Sequence, residues 1–213
     1  MTTRLNLREL KKQRTRNALL RAALELFTSQ GFESTTVDEI AEACEVSQRT
    51  FFRYFTSKEE VAFAVQEMVE SRFVAALRER PADESPFEAL RHTVSSTWEA
   101  LSRSVEEVIP VELHMRTYQM IESTPALLAT HLRRSVELEE EAARVIAERE
   151  GLDVDADPRP RVAVAAFSGV MRMTGRLWGA GDDASIDAIR QLTESYLDHL
   201  KPSLGERWSH EGS

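Results

Sequence analysis

Three side chains within a short stretch, Gln48, Arg49 and Arg53, are of the types that read nucleic-acid base edges. An arginine guanidinium can donate twice to O6 and N7 of guanine, and a glutamine amide can pair in the same way with adenine. A good pair of this kind discriminates between bases by about 1–3 kcal/mol. The three lie between Ser47 and Phe55, in the order Ser-Gln-Arg-Thr-Phe-Phe-Arg-Tyr-Phe. On a helix Phe51 and Phe55, four apart, share one face. That face would anchor inward against Leu26, Phe27 and Ile40, leaving Gln48, Arg49 and Arg53 to point out. The alternative is that Arg49 and Arg53 are ordinary solvated surface residues.

Base reading requires that the helix enter a major groove, which is about 12 Å wide. The neighbouring sequence supplies a compact unit to present it. Leu19, Ala22, Ala23, Leu26 and Phe27 recur at helical spacing, and Gly31 is a natural stop. Thr36-Val-Asp-Glu39 is a capping box that opens a short helix through Ile40, Ala41 and Ala43. The pattern breaks at Cys44-Glu45-Val46, and Ser47 caps the next short helix. Ser57-Lys-Glu-Glu60 is a second capping box. It opens a long helix with Val61, Val65, Met68, Phe73 and Leu77 on one face. Two short helices around a tight turn describe a helix-turn-helix over 35–54. Lys58 stands at a helix start, where free N–H groups and the dipole favour a phosphate.

The charge balance sharpens this. The whole chain of 213 residues carries a net −9. Residues 1–58 hold ten basic and seven acidic residues, whereas the other 155 balance at −12. A basic head on an acidic body fits a polyanionic partner for the head alone. Arg4 to Arg16 form a basic arm that would track phosphates or enter a minor groove; its alternative is a solubilising tail.

Other classes are poorly supported. No apolar run approaches the roughly 18–20 residues of a membrane span. The N-terminus lacks the apolar core of a secretory signal. The single cysteine, Cys44, rules out an intrachain disulfide and fits a reducing cytoplasm; it is expected to pack in the turn. A small helical enzyme is the main rival, but there is no His-Glu-x-x-His, no Glu-x-x-His pair and no P-loop. Gly179-Ala-Gly-Asp-Asp-Ala184 mimics a dinucleotide fingerprint yet follows a helix, not a strand. Ser168-Gly169 lacks the preceding glycine of a nucleophile elbow. No cofactor and no metal are expected. A helical protein-interaction module is a second rival, opposed by the basic head.

The residues Ala22-Ala-Leu-Glu-Leu-Phe27, Gly31-Phe32, Thr35-Thr36, Ile40-Ala41, Val46-Ser47, Thr50 and Tyr54-Phe-Thr-Ser-Lys-Glu-Glu60 resemble the DNA-binding domain of TetR-family transcriptional regulators. The resemblance implies an all-α chain of about nine helices, acting as a homodimer with a DNA-binding head and an effector-binding body. It implies DNA-backbone contacts by Thr36, Ser47, Thr50, Phe52, Tyr54 and Lys58, beside the base readers Gln48, Arg49 and Arg53. It also implies a repressor at a near-palindromic operator. Two departures stand out. Glu45 replaces the usual turn glycine, which implies either positive φ at some cost or a slightly different turn. Phe52 replaces a frequent tyrosine and loses a hydroxyl. The expected division is 1–11 arm, 12–72 DNA-binding head, 82–202 ligand-binding and dimerisation body, and 203–213 polar tail.

In the body, Pro81 to Ser85 marks a boundary and Pro86 suits the first position of a helix capped by Ser85. Helices follow near 86–104, 107–121, Pro125–Glu150, 160–178 and 184–200. Trp98, Leu101, Leu113, Tyr118, Leu127, Leu128, Leu132, Phe167 and Met171 are candidates to line an apolar effector cavity. His114 is placed with them, more naturally as a hydrogen-bonded structural histidine. Arg116, Arg172 and Arg176 are possible anion clamps, or simply surface ion pairs. On the last two helices Val162, Ala166, Gly169, Val170, Met173 and Leu177, then Ile186, Ile189, Thr193, Tyr196, Leu197 and Leu200, form apolar stripes. The family resemblance assigns these to the dimer interface; a stripe of this kind is otherwise intramolecular core. Thr124-Pro-Ala-Leu127, Arg149-Glu-Gly151, Pro158-Arg-Pro-Arg161 and Trp178 are similar to the C-terminal domain of mycofactocin-system regulators. That kinship implies an acyl-CoA-like or otherwise small hydrophobic effector.

Overall fold

The structure is a computed structural model that describes residues 7–106, 108–181, 183 and 185–200, with the helical backbone alone for 99–106. Among these there are nine helices and no strand. They are α1 (Leu7–Gln30), α2 (Val37–Ala43), α3 (Gln48–Phe52), α4 (Lys58–Arg78), α5 (Pro86–Glu106), α6 (Val111–Ser123), α7 (Pro125–Glu150), α8 (Arg159–Gly179) and α9 (Ile186–Leu197). The arm expected over 1–11 is not separate: α1 already begins at Leu7, and residues 1–6 lie outside the described ones, as does the tail over 203–213. The first turns of α1 are exposed, while Leu19, Leu20, Ala23, Leu24 and Phe27 are buried.

Local chemistry explains most boundaries. Thr36 and Glu39 complete a reciprocal capping box at the start of α2. Ser47 caps α3 by accepting from the Thr50 amide. Ser57 caps α4, but the return half goes elsewhere: Glu60 accepts from the amide and hydroxyl of Thr56, both at 2.6 Å. Ser85 and Glu88 make a further reciprocal box ahead of α5, with the Ser85 amide donating at 2.9 Å and the Glu88 amide at 3.3 Å. Gly151 ends α7 in the left-handed region at φ 67°, where a side chain would be strained.

Two apolar clusters result. One joins α1–α4 through Leu24, Phe27, Ile40, Phe51, Phe55 and Val61, and takes in Ile109, Leu113, Ile121 and Leu127 from the body side. The other joins Val74 and Leu77 of α4 to Leu90, Trp98, Ile146, Phe167 and Leu197. Helix α4 therefore belongs to both. Arg149 secures its far end, donating to the carbonyls of Arg80 and Pro81 at 2.6 and 2.8 Å.

Glu45 holds the turn between α2 and α3 at φ 54°, the first of the two alternatives its replacement of glycine leaves open. The left-handed region costs an L-residue about 1–2 kcal/mol, while glycine gives back about 0.4–1 kcal/mol through a freer unfolded chain. Glu45→Gly is therefore expected to raise unfolding stability by about 0.5–1 kcal/mol in urea titration. A lower midpoint would show that the Glu45 side chain contributes more than its backbone strain takes away.

Candidate nucleic-acid interface and body cavity

Helix α3 is five residues long and is held from below. Phe51 is fully buried, ring to ring with Phe55 at 5.7 Å. With that face inward, Gln48, Arg49, Phe52 and Arg53 are all exposed. Phe52, 49% exposed, stands edge-on to Phe51 at 5.4 Å and presents an apolar face of the kind that meets a thymine methyl or a sugar. Arg53 lies over the Tyr54 ring at 5.1 Å and reaches its hydroxyl at 3.4 Å, so the pair forms one preorganised patch. The Ser47 and Thr50 hydroxyls are 2.9 Å apart and share a hydrogen bond, which leaves one of the two protons to give. The structure thus brings Ser47, Gln48, Arg49, Thr50, Phe52, Arg53 and Tyr54 onto one small surface. Arg16, from α1, stacks at 5.0 Å on Phe55 and ties the basic helix to the same unit.

Two expected contacts are corrected. Lys58 does not point its ammonium outward. It donates to the carbonyls of Phe32 at 2.8 Å and Thr35 at 3.1 Å, and lies 4.4 Å from the Phe32 ring centre. It staples the turn between α1 and α2 to the start of α4, so it does not offer that charge to a phosphate. Thr36 gives its hydroxyl proton to Glu39 at 2.9 Å and its amide proton to the same oxygen at 2.7 Å. These bonds hold the Glu39 carboxyl below the usual carboxylate range. Thr36 is consumed by capping. The Lys58 role is not visible from spacing, because it depends on where a loop closes; the Thr36 role is the capping box that Thr36-Val-Asp-Glu39 spells, which competes with a DNA contact.

Cys44 is half-buried at the end of α2. Burial, then the Glu25 carboxylate, pushes its thiol pKa up, away from thiolate chemistry.

In the body a cavity of about 230 Å³ lies between α4, α5, α7 and α8, with α6 contributing Tyr118. Of the residues expected there, Trp98, Tyr118, Phe167 and Met171 line it. Leu101 lies outside the residues whose side chains are described. Leu113 and Leu127 are corrected to the head-side cluster, and Leu132 is 48% exposed. Leu128 and His114 are absent from the lining. The lining also includes Phe73, Leu90, Val94, His131, Leu138 and Val164, which were missed. His131 had a signal: Leu127, His131, Leu138 and Ala142 fall on one helical stripe, and a polar residue inside an apolar stripe is worth attention. Two glycines of α8 make room for Tyr118. A Cβ at Gly175 would sit 2.7 Å from its hydroxyl, and one at Gly179 would sit 3.3 Å from its ring. Arg172 was a candidate clamp, but it is paired with Glu139.

The dimer stripes divide. On α8, Val162 (58%), Met173 and Leu177 are exposed, with Ala166, Gly169 and Val170 partly so. On α9, Tyr196 is exposed, and Ile186, Ile189 and Leu200 pack partly on the body core. Thr193 and Leu197 are corrected: both are buried within this chain. Thr193 donates to the Thr174 hydroxyl at 3.0 Å. Leu197 packs with Val164 and Phe167 in one apolar cluster.

The family model for bacterial regulatory proteins of the tetR family matches residues 19–65, and that for the MftR C-terminal domain matches 84–204. The chain belongs to the TetR family of transcriptional regulators. It is 45% identical over 207 residues to the HTH-type transcriptional regulator TcmR of Streptomyces glaucescens, covering 97% of this chain and 92% of that protein. The transcriptional repressor NicS of Pseudomonas putida is 32% identical over about half of each chain, 50% and 51%. Among solved structures, a TetR-family regulator from Syntrophomonas wolfei superposes with TM-score 0.65 at 18% identity over 89% of this chain and 95% of its own. SmeT, in a complex with triclosan, gives 0.63 at 17% identity over 94% and 99%. This TetR-family chain is a DNA-binding regulator rather than an enzyme. No helix of its described residues is long and apolar enough to cross a membrane.

His114 yields a pH prediction. It was expected to be hydrogen-bonded, yet its Nδ1 is buried without a partner among the described residues. Burial pulls its pKa down to about 4, against 6.5 normally. The unfolded chain therefore takes up this proton first, and the stability of keeping the ring neutral is lost as pH falls from 6.5 towards 4. At about 1.4 kcal/mol per unit this is on the order of 3 kcal/mol. His114→Leu should flatten that limb of the stability–pH curve; a limb of unchanged depth would assign the acid sensitivity to other groups.

Lys58→Met should lower stability by about 1–3 kcal/mol, since it strands buried carbonyls. In a DNA shift assay it should leave the salt slope unchanged, where loss of a true phosphate contact lowers it by about 0.9.

Proposed function

We propose that this TetR-family regulator is a cytoplasmic homodimeric repressor. It binds a near-palindromic operator and is released by a small hydrophobic effector held in the body cavity. The observation that carries the reading is the pairing of an exposed Gln48–Arg49–Arg53 face with a separate, mostly apolar cavity, each touching α4 or the core around it. The base readers are Gln48, Arg49 and Arg53. Ser47, Thr50, Phe52 and Tyr54 supply backbone and sugar contacts. The uncovered apolar stripe of Val162, Met173 and Leu177 on α8, with Tyr196 on α9, supports self-association. Two heads related by a two-fold axis would meet DNA about 34–36 Å apart.

Of the two effector classes that the family resemblance implies, the geometry favours the small hydrophobic one. The cavity volume of about 230 Å³ lies below the roughly 300–1,000 Å³ of drug-sized sites. Its arginine, Arg172, is engaged by Glu139 and is not open to an acyl-CoA phosphate or a carboxylate.

The test is operator binding by the full chain, using the DNA upstream of its own gene and of the neighbouring gene. Arg49→Ala should lose about 1–3 kcal/mol of discrimination at one base pair per half-site while keeping its non-specific binding. Unchanged sequence preference would remove Arg49 from base reading. A stable monomer at micromolar concentration in size analysis would end the dimer reading.

A further inference from the structure

The chemistry of the cavity lining narrows what can occupy it, and this inference rests on the reading of that cavity as the effector site. The charged lining groups are already partnered. Glu70 accepts from Arg134 at 2.9 Å, and Glu139 accepts from Arg172. Two lining hydroxyls turn away as well, while that of Ser168 makes no side-chain hydrogen bond among the described residues. Ser135 donates to the His131 carbonyl at 3.0 Å, and Thr97 donates to the Thr93 carbonyl at 2.7 Å. Burial, then the nearby Glu122 carboxylate, pushes the Tyr118 hydroxyl pKa up, so it keeps its proton.

His131 differs from the partnered groups, and unlike the Ser168 hydroxyl it can offer a nitrogen lone pair with no proton of its own. Its ring lines the cavity, edge-on to Tyr118 at 6.1 Å. Nε2 lies 3.6 Å from a Glu122 carboxylate oxygen, and Nδ1 is buried with no partner among the described residues. A carboxylate beside Nε2 favours the tautomer with its proton there. Nδ1 is then a lone-pair acceptor with no hydrogen-bond donor on it among the described residues, although Arg134 and Arg172 stand near enough to act on the ring by charge. Nδ1 itself has almost no accessible surface, so an occupant meets it by a turn of the imidazole towards the cavity, and a buried acceptor is better satisfied than left bare.

We infer that the effector is a neutral, mainly apolar molecule carrying an alcohol or phenol hydroxyl, whose O–H donates to His131 Nδ1. The walls of Phe73, Trp98, Leu138 and Phe167 take its apolar body. A carboxylate has no proton to give and meets no unpaired cation among the described lining residues. Glu122 is a positioning residue: it acts through the histidine by fixing which nitrogen holds the proton.

The test uses three matched naphthalenes, titrated calorimetrically into the full chain at neutral pH: 2-naphthol, 2-methoxynaphthalene and 2-naphthoate. The naphthol should bind about fivefold or more tighter than the ether, as one hydrogen bond contributes, and the naphthoate should bind weakest. His131→Phe should bind naphthol and ether alike. Glu122→Gln should keep the ether's affinity and shrink the preference for naphthol, because Nδ1 is then no longer held as an acceptor. An ether that binds wild-type protein as tightly as the naphthol, a naphthoate that binds tightest, or a folded His131→Phe that keeps the preference overturns the inference and leaves the effector reading standing. If none of the three binds at millimolar concentration, the cavity is not a ligand site and both fall. Should His131→Phe fail to fold, the wild-type affinity ratio still decides.

Discussion

Helix α4 must satisfy two cores with one rigid rod. Val61, Phe63 and Val65 belong to the head cluster, while Val74 and Leu77 belong to the body cluster. Over 21 residues the rod is about 30 Å long. Both ends are fixed by cations that cap carbonyls. Lys58 closes the turn at Phe32 and Thr35, and Arg149 closes the turn at Arg80 and Pro81. Between them Glu70 and Phe73 form part of the cavity wall. The element that floors the DNA-facing unit is therefore also a wall of the cavity. A ligand there changes DNA affinity only if it binds two head arrangements unequally. A tenfold effect needs about 1.4 kcal/mol of such difference, which is comparable to one hydrogen bond.

What the sequence made legible was local. Capping boxes, stop glycines and the i, i+4 phenylalanines predicted α2, α3 and the start of α4, because each signal acts within one turn of its own residue. The outward face of α3 followed from the inward face, since Phe51 and Phe55 leave only one side for Gln48, Arg49 and Arg53. The positive φ at Glu45 was implied instead, as one of two alternatives, by the family resemblance, in which glycine usually holds that turn position.

The cavity was not legible in this way. Trp98, Tyr118, Phe167 and Met171 were named for their bulk, and bulk does not distinguish a wall from a core. Leu113 has the same character but faces the head cluster, a difference set by the rotation of α6 and not by residue type. Lys58 shows the converse. Its position at a helix start suits an anion, yet a loop 23–26 residues earlier in the chain delivers carbonyls to it first. Thr193 and Leu197 continue the apolar stripe of α9, but the helix turns them onto α8 and α5 rather than outward. In each case the deciding partner is remote in sequence, and no period along one helix encodes it.

Charge follows the same logic, because a cation counts towards DNA only when it is free. The body holds many arginines, but Arg91, Arg134, Arg161 and Arg172 are each tied to glutamates. Neutralised internally, they add little field beyond a Debye length of about 8–10 Å. Arg49 makes no ion pair among the described residues, and Arg53 leans on a neutral ring. The formal net charge of −9 sums these two populations as if they were alike. Separated by pairing, the acidic body repels a polyanion, and the short head offers unneutralised cations on the α3 face. That arrangement disfavours docking of a polyanion by any other surface, and so agrees with the proposal that the α3 face meets DNA.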